Sequence, residues 1–191
     1  MAADMEEITK LKKIKAIFTD VDGVLTDGKI ILGNHPPIYA SSPIELKSFH
    51  VHDGMAITLA KRCNIIIGFI TSRSSEVVNR RAEELHVDYL FQGAKNKAVY
   101  IKRICEDKGL TPDEVCFIGD DITDIPAFRI VGFSATVLDA PEEVKSHVDF
   151  ISLKNGGQGA VRDIIRHIML AQNVWFQAID ATIAELEGED T

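Results

Sequence analysis

Two aspartates stand one residue apart in the stretch IFTDVDGVLTDG, which covers residues 17–28. Asp20 and Asp22 directly follow an apolar run, and because side chains two apart on extended backbone share a face, both can project together. Gly23 allows a sharp turn after them. Asp20 can act as a carboxylate nucleophile and Asp22 as a proton donor. Considered alone, the pair is also compatible with a turn and a helix cap.

The elements that must position this pair alternate between strands and helices. Three near-continuous apolar runs, typical of strands buried on both faces of a parallel sheet, are IKAIFT (14–19), IIIGFI (65–70) and VCFIG (115–119). Helical patterns lie at Gly54–Arg62, Ser74–Leu85 and Lys95–Lys108. This alternation predicts an α/β fold with a doubly wound, Rossmann-like parallel sheet.

In such a sheet, ligands bind beyond the carboxyl ends of the strands. The second run is followed by Thr71, the third by Asp120, and the segment GAKNK adds Lys97, with Lys95 as a nearby rival. Converging aspartates repel one another, and Mg²⁺ with oxygen ligands relieves that repulsion. The sequence therefore predicts a Mg²⁺ site completed by Asp120, with Thr71 and Lys97 contacting a phosphoryl group. Thr71 as a helix cap and Lys97 as a solvated lysine are the structural alternatives.

The composition limits the number of domains, the kinds of partner and the cellular compartment. The chain has 191 residues, 46% of them hydrophobic, which predicts one domain with a proper core. The net charge of −8 argues against nucleic acid or an anionic membrane as the main partner. Three scattered cysteines indicate buried thiols in a reducing compartment, and the sequence has no membrane-length apolar run, so a cytoplasmic protein is predicted.

Two segments depart from the strand–helix alternation. Residues 26–49 carry Gly, Asn and three prolines between KIIL and IELKSF, which predicts a β-hairpin flap next to the aspartate pair. The C-terminal tail, about residues 156–191, includes VWFQAIDATIAELE, which predicts an amphipathic helix.

These motifs resemble a known family. DVDGVLTDG, ITSR, Lys97 and GDDITD resemble the four motifs of the haloacid dehalogenase superfamily. FHVHDGMAI, RRAEELHVDYLFQGAKNK and GGQGAVRDIIRHIMLAQ resemble the 3-deoxy-D-manno-octulosonate 8-phosphate (KDO 8-phosphate) phosphatases, from about Ile14 to Gln172. The resemblance implies a haloacid dehalogenase fold with a short β-hairpin flap and no large cap domain. It also implies a Mg²⁺-dependent phosphomonoesterase that acts through an aspartyl-phosphate.

The resemblance also implies roles for individual residues. Asp20 would be the nucleophile and a Mg²⁺ ligand, and Asp22 the general acid and base that ligates the metal through its backbone carbonyl. Thr71 and Lys97 would hold the phosphoryl group. Asp120 would be the third metal ligand of the protein. The residues implied in a supporting position are Asp121 and Asp124, and those implied in binding the sugar acid are Asp22, His50, Val51, His52, Asp53, Gly54, Arg73, Arg81 and Lys97.

The implied substrate is a phosphorylated 2-keto-3-deoxy sugar acid, with KDO 8-phosphate first. His52 and Thr58 stand where arginine is common in the resembled enzymes, so a nonulosonate 9-phosphate phosphatase stays open. A non-catalytic oligomerisation module is a further alternative, although all four catalytic motifs are intact. The family resemblance implies a homotetramer whose hairpin packs against a neighbour and whose GGQGAVR segment can reach an adjacent active site. For Arg81, an ion pair on the helix surface with Glu84 is the structural alternative.

Overall fold

A six-stranded parallel sheet forms the centre of the molecule. The structure is a computed structural model that describes residues 2–33 and 44–189. Its strands are β1 (Ala16–Thr19), β2 (Ile31–Gly33), β3 (Ile44–Leu46), β4 (Ile66–Ile70), β5 (Tyr89–Phe91), β6 (Val115–Ile118), β7 (Phe133–Thr136) and β8 (Phe150–Ile151). The sheet order is β5-β4-β1-β6-β7-β8, and every pairing within it is parallel. The predicted α/β fold with a doubly wound parallel sheet is therefore confirmed.

Helices cover both faces of the sheet, as right-handed crossovers between parallel strands require. They are α1 (Ala2–Lys13), α2 (Val51–Arg62), α3 (Glu76–Glu84), α4 (Lys97–Lys108), α5 (Ile125–Phe128), α6 (Glu142–Lys145), α7 (Ala160–Ala171) and α8 (Trp175–Glu189). Helix α7 packs against α1, α2 and α8, while α4 packs against α5. Within the described ranges, no helix is both long and apolar enough to cross a membrane.

The three apolar runs form the central strands, and the sequence explains why. Every residue of β1 and β6 is buried, because both strands have helices on each face and a strand on each side. Phe18, Phe69 and Phe117 are almost completely buried at the middle of this core. Strand β1 lies where the strand order reverses direction, the usual place for a ligand site in this fold class.

The predicted hairpin is present beside the sheet. Strands β2 and β3 pair antiparallel, with Ile31 opposite Leu46 and Gly33 opposite Ile44. The long connection predicted between them, residues 34–43, lies outside the described residues. The C-terminal helix is also confirmed, as α8, and its first residue Trp175 is buried.

All three predicted helix starts differ from those observed, and α3 begins at Glu76, two residues after the predicted Ser74, with Ser75 as its N-cap. Helix α2 begins at Val51, three residues earlier than predicted, because the His50 side chain accepts a hydrogen bond from the backbone N–H of His52 and caps the first turn. Helix α4 begins at Lys97, two residues later than predicted, with Asn96 in extended conformation as its N-cap. Lys97 therefore projects from the first turn of a helix.

Candidate active site

Lys97 and Asp20 form a buried ion pair at the end of β1. The Lys97 Nζ lies 2.5 Å from Asp20 Oδ2, and the lysine side chain is 1% exposed. The other Asp20 oxygen, Oδ1, accepts a hydrogen bond from the backbone N–H of Val21 at 2.6 Å. Burial raises the pKa of Asp20 to about 6, and the Lys97 charge acts against that rise. Lys95 is exposed, so Lys97 is the lysine that this site uses.

Asp124 holds Lys97 from its other side. Its Oδ1 contacts the Lys97 Nζ, and its Oδ2 accepts hydrogen bonds from the backbone N–H groups of Asp120 at 3.0 Å and Asp121 at 3.2 Å. Burial lowers the pKa of Lys97, but the negative charges of Asp20 and Asp124 outweigh burial and raise it overall. Lys97 is therefore held as a cation that faces the Asp20 carboxylate.

Asp120 completes a cluster of carboxylates suited to a divalent ion. One carboxylate oxygen each from Asp20, Asp120 and Asp124 lie within 4.8 Å of one another. The Asp120 Oδ1 is buried, and it has no hydrogen-bond partner among the described residues. Burial and then the charges of Asp20 and Asp124 raise the pKa of Asp120 to about 8. Asp20 and Asp120 line an open cleft, whereas Asp124 is completely buried behind it, so Asp20 and Asp120 are the carboxylates that fit a Mg²⁺ ion.

Gly23 leaves the space that this cluster needs. It has a φ of +88°, and a Cβ at this position would lie 1.9 Å from Asp120 Oδ2. Gly156, from the GGQG segment, supports the same turn, since its own Cβ would come within 1.8 Å of the Gly23 carbonyl oxygen. The Gly157 N–H also donates to the Val24 carbonyl at 2.9 Å. The GGQG segment thus packs against the aspartate loop of its own chain.

An open cleft of about 230 Å³ exposes this chemistry to solvent. The residues that line it come from the ends of β1, β4 and β6: Asp20, Asp22, Thr71, Ser72, Arg73, Asp120, Asp121 and Thr123. Thr71 is buried, and its Oγ1 accepts the Arg73 backbone N–H at 3.4 Å. Asp121 is exposed and caps the turn after β6 through Ile122. The structure therefore brings Asp20, Asp22, Thr71, Asp120 and Arg73 to one cleft, with Lys97 beneath it.

The other residues implied in sugar binding do not line this cleft. Val51 is 73% exposed and His52 is also exposed, whereas Asp53 is buried and its Oδ1 accepts the Arg162 backbone N–H at 2.7 Å. Burial raises the pKa of Asp53. Within one chain, Asp53 therefore anchors the start of α7 and is out of reach of a ligand in the cleft. The role of these residues in sugar binding stays a prediction.

Arg81 of α3 packs against Gly54 of α2. A Cβ at Gly54 would lie 2.5 Å from Arg81 Nη2, so a larger residue there would force the guanidinium to move. The guanidinium stands over the Phe49 ring at 5.5 Å and donates to Glu84 at 2.8 Å. The ion pair with Glu84 is thus present, and the Arg81 side chain stays 14% exposed.

The family to which the chain belongs follows from comparison with known proteins. Residues 36–165 match the model of a family described as haloacid dehalogenase-like hydrolase. The chain belongs to this family. The parallel sheet agrees with the fold that the sequence motifs imply.

Several relatives of this hydrolase are named for the same reaction. A 3-deoxy-D-manno-octulosonate 8-phosphate phosphatase from Escherichia coli K12 is 36% identical over 165 residues, which cover 86% of this chain and 84% of the relative. The crystal structure of such a phosphatase from Moraxella catarrhalis, in complex with magnesium, phosphate and KDO, has a TM-score of 0.83. It is 38% identical, with 95% of this chain and 99% of the other covered. A cobalt-bound enzyme of this name from Haemophilus influenzae has a TM-score of 0.80 at 35% identity, with 89% and 98% covered.

The sequence motifs did not identify two residues that contact the residues of the cleft. Lys47 contacts Asp22 Oδ1, and Glu45 accepts a hydrogen bond from Arg73 at 3.2 Å. Both come from the hairpin, more than 20 positions from Asp22 along the chain. Their two-residue spacing in IELKSF is the one available signal, since it places both side chains on the same face of a strand.

Proposed function

We propose that this hydrolase is a Mg²⁺-dependent phosphomonoesterase that converts KDO 8-phosphate to KDO and phosphate. One observation carries the choice of substrate: the Moraxella relative, whose structure holds magnesium, phosphate and KDO, is 38% identical and covers 95% of this chain. The buried Asp20–Lys97 pair and the unpartnered Asp120 oxygen supply the matching chemistry.

Asp20 is the proposed nucleophile. Its carboxylate attacks phosphorus, the bond from phosphorus to the sugar oxygen breaks, and a phosphoryl group remains on Asp20. Lys97 would offset the repulsion between this carboxylate and a dianionic phosphate, and Thr71, which lines the cleft, would donate its hydroxyl to a phosphoryl oxygen. Asp20, Asp120 and the backbone carbonyl of Asp22 would hold Mg²⁺, which when bound neutralises charge on the phosphoryl group.

Asp22 is the proposed proton carrier. In the first step it donates a proton to the leaving sugar oxygen, which leaves Asp22 ionised. In the second step it takes a proton from the water that attacks the aspartyl-phosphate, so that phosphate departs and Asp20 is restored. Asp22 lines the cleft, and its Oδ2 lies 3.6 Å from the Arg73 Nε but makes no hydrogen bond among the described residues.

We further propose that the chain, residues 1–191, is a single phosphatase domain of a cytoplasmic homotetramer. The exposed apolar side chains of the hairpin support self-association: Ile30, Ile31, Leu32 and Leu46 are 51–63% exposed. The cysteines at 63, 105 and 116 are unpaired, as expected in a reducing compartment. Light scattering of the purified protein tests the subunit count, and a monomer would refute it.

Phosphate release from a panel of phosphorylated sugar acids tests the proposed reaction. We expect turnover of KDO 8-phosphate with Mg²⁺, none after EDTA, and a lower kcat/KM on nonulosonate 9-phosphates. Asp20→Asn should abolish turnover without changing the oligomeric state. Absence of metal-dependent turnover on every sugar acid phosphate would refute the proposal. A higher kcat/KM on a nonulosonate 9-phosphate would show that the protein is a nonulosonate 9-phosphate phosphatase instead.

A further inference from the structure

The hairpin contributes two charged side chains to the wall of the cleft. Glu45 lies in β3 and Lys47 directly follows this strand, so the two share one face. Their side chains are only 19% and 2% exposed, whereas Leu46 between them is 56% exposed. Each charged side chain reaches a different residue of the cleft.

Lys47 fixes one oxygen of the proposed proton carrier. Its ammonium contacts Asp22 Oδ1, while Asp22 Oδ2 is buried and lies 3.6 Å from the Arg73 Nε. An aspartate held by one oxygen has its other oxygen fixed in direction, which is what proton transfer to a defined leaving group requires. Lys47 is itself too buried to be a substrate contact.

Glu45 holds the cation that faces the substrate. Its Oε1 accepts a hydrogen bond from Arg73 Nη2 at 3.2 Å and lies 3.6 Å from the Lys47 Nζ. The Arg73 side chain is 42% exposed and lines the cleft, so it can meet an anionic group of a ligand. Asp22, Lys47, Glu45 and Arg73 alternate in sign, so the buried lysine charge is compensated on both sides.

We propose that the hairpin carries two positioning residues with separate tasks. Lys47 orients Asp22 for proton transfer to and from the reacting oxygens, and Glu45 orients Arg73 for binding the carboxylate of the sugar acid. This inference rests on the proposed phosphatase function, because it assigns tasks within that reaction. The hairpin, although distant from Asp22 and Arg73 in the sequence, would then determine both the rate of the reaction and the affinity for the substrate.

Steady-state kinetics separates the two tasks. Lys47→Met should lower kcat on KDO 8-phosphate by about 10- to 100-fold with little change in KM, because the proton carrier is misplaced. Glu45→Gln should raise KM by roughly 5- to 20-fold with little change in kcat, because only ground-state binding is weakened. The matched control is Lys29→Met, which removes an exposed lysine paired with Asp27 next to the same hairpin and should leave both constants unchanged.

The leaving group provides a second readout. With p-nitrophenyl phosphate as the substrate, the p-nitrophenolate leaving group departs without a proton and does not need Asp22 as an acid. The burst of p-nitrophenolate from the first step should therefore survive in Lys47→Met. If both variants change kcat and KM together, or the burst falls as much as sugar release, the hairpin has only a structural role and the inference is overturned. Failure of the unmodified protein to hydrolyse any phosphorylated sugar acid would instead refute the proposed function.

Discussion

Asp120→Asn should make the metal-free protein more stable while removing its response to Mg²⁺. In the folded protein, burial and the charges of Asp20 and Asp124 raise the Asp120 pKa to about 8 from an ordinary value of 3.8. Because the pKa of Asp120 is higher in the folded than in the unfolded protein, folding favours the protonated form of this carboxyl group. Ionisation therefore opposes folding above pH 3.8, increasingly so up to pH 8.

The size of the effect follows from this shift. At pH 7 the unfolded carboxyl is ionised, roughly three pH units above its ordinary pKa, and each unit corresponds to about 1.4 kcal/mol. This gives an upper limit of about 4 kcal/mol, which water at the open cleft reduces to about 1–3 kcal/mol. For a chain of this size, about 1 kcal/mol shifts the melting temperature by roughly 2–4 °C.

Thermal unfolding in EDTA and in Mg²⁺ measures both effects. We expect metal-free Asp120→Asn to melt several degrees above the unmodified protein at pH 8, with the difference vanishing near pH 4. Saturating Mg²⁺ should raise the melting temperature of the unmodified protein but not that of Asp120→Asn. Asp121→Asn is the matched control, because Asp121 is exposed and asparagine caps equally well. A less stable metal-free variant that still gains stability from Mg²⁺ would refute this reasoning.

Two further changes test other parts of the structure. Gly23→Ala should weaken Mg²⁺ binding at least about tenfold, because the added methyl displaces Asp120, and calorimetric titration with Mg²⁺ measures it. Asp149→Asn should lower the free energy of unfolding by about 1–2 kcal/mol at pH 7, because Asp149 accepts hydrogen bonds from Lys10 at 2.8 Å and from Ser134 at 2.9 Å. Urea unfolding at pH 7 and pH 3 measures this loss.

The pH dependence of the Asp149 effect has a definite sign. Burial raises the pKa of Asp149, but the hydrogen bonds from Lys10 and Ser134 outweigh burial and keep it below its usual value. Its stabilisation is therefore complete above the unfolded pKa near 4 and is lost as the pH falls through the folded pKa. If Asp149→Asn lost equal free energy of unfolding at pH 7 and pH 3, the ionised role of Asp149 would be contradicted. Unchanged Mg²⁺ affinity in Gly23→Ala would contradict the role given to Gly23 at the metal site.

The central strands and the inner site were predictable because their signals are local. Apolar runs mark β1, β4 and β6, and residues that follow such strands meet at one edge of the sheet, so the sequence alone places Asp20, Thr71 and Asp120 together. The outer strands β5 and β8 have three and two residues, too short to show a periodic pattern. They form because neighbouring strands offer hydrogen bonds.

The contacts of Asp124 and the hairpin depend on folding and could not be found in the same way. Asp124 was expected in a supporting position, but its complete burial against Lys97 requires β1, β6 and α4 to be assembled. Lys47 meets Asp22 only because the hairpin folds back over the end of β1. No local sequence pattern predicts that Lys47 and Asp22 come into contact.

Chemical trapping of the phosphorylated enzyme tests the central claim most directly. Borohydride reduces an aspartyl-phosphate to homoserine, and mass spectrometry of the peptide that contains residue 20 detects the change. We expect homoserine at position 20 when substrate and Mg²⁺ are both present, and none with EDTA. Turnover of substrate with the trapped residue elsewhere, or with no residue trapped, would contradict the assignment of Asp20 as the nucleophile.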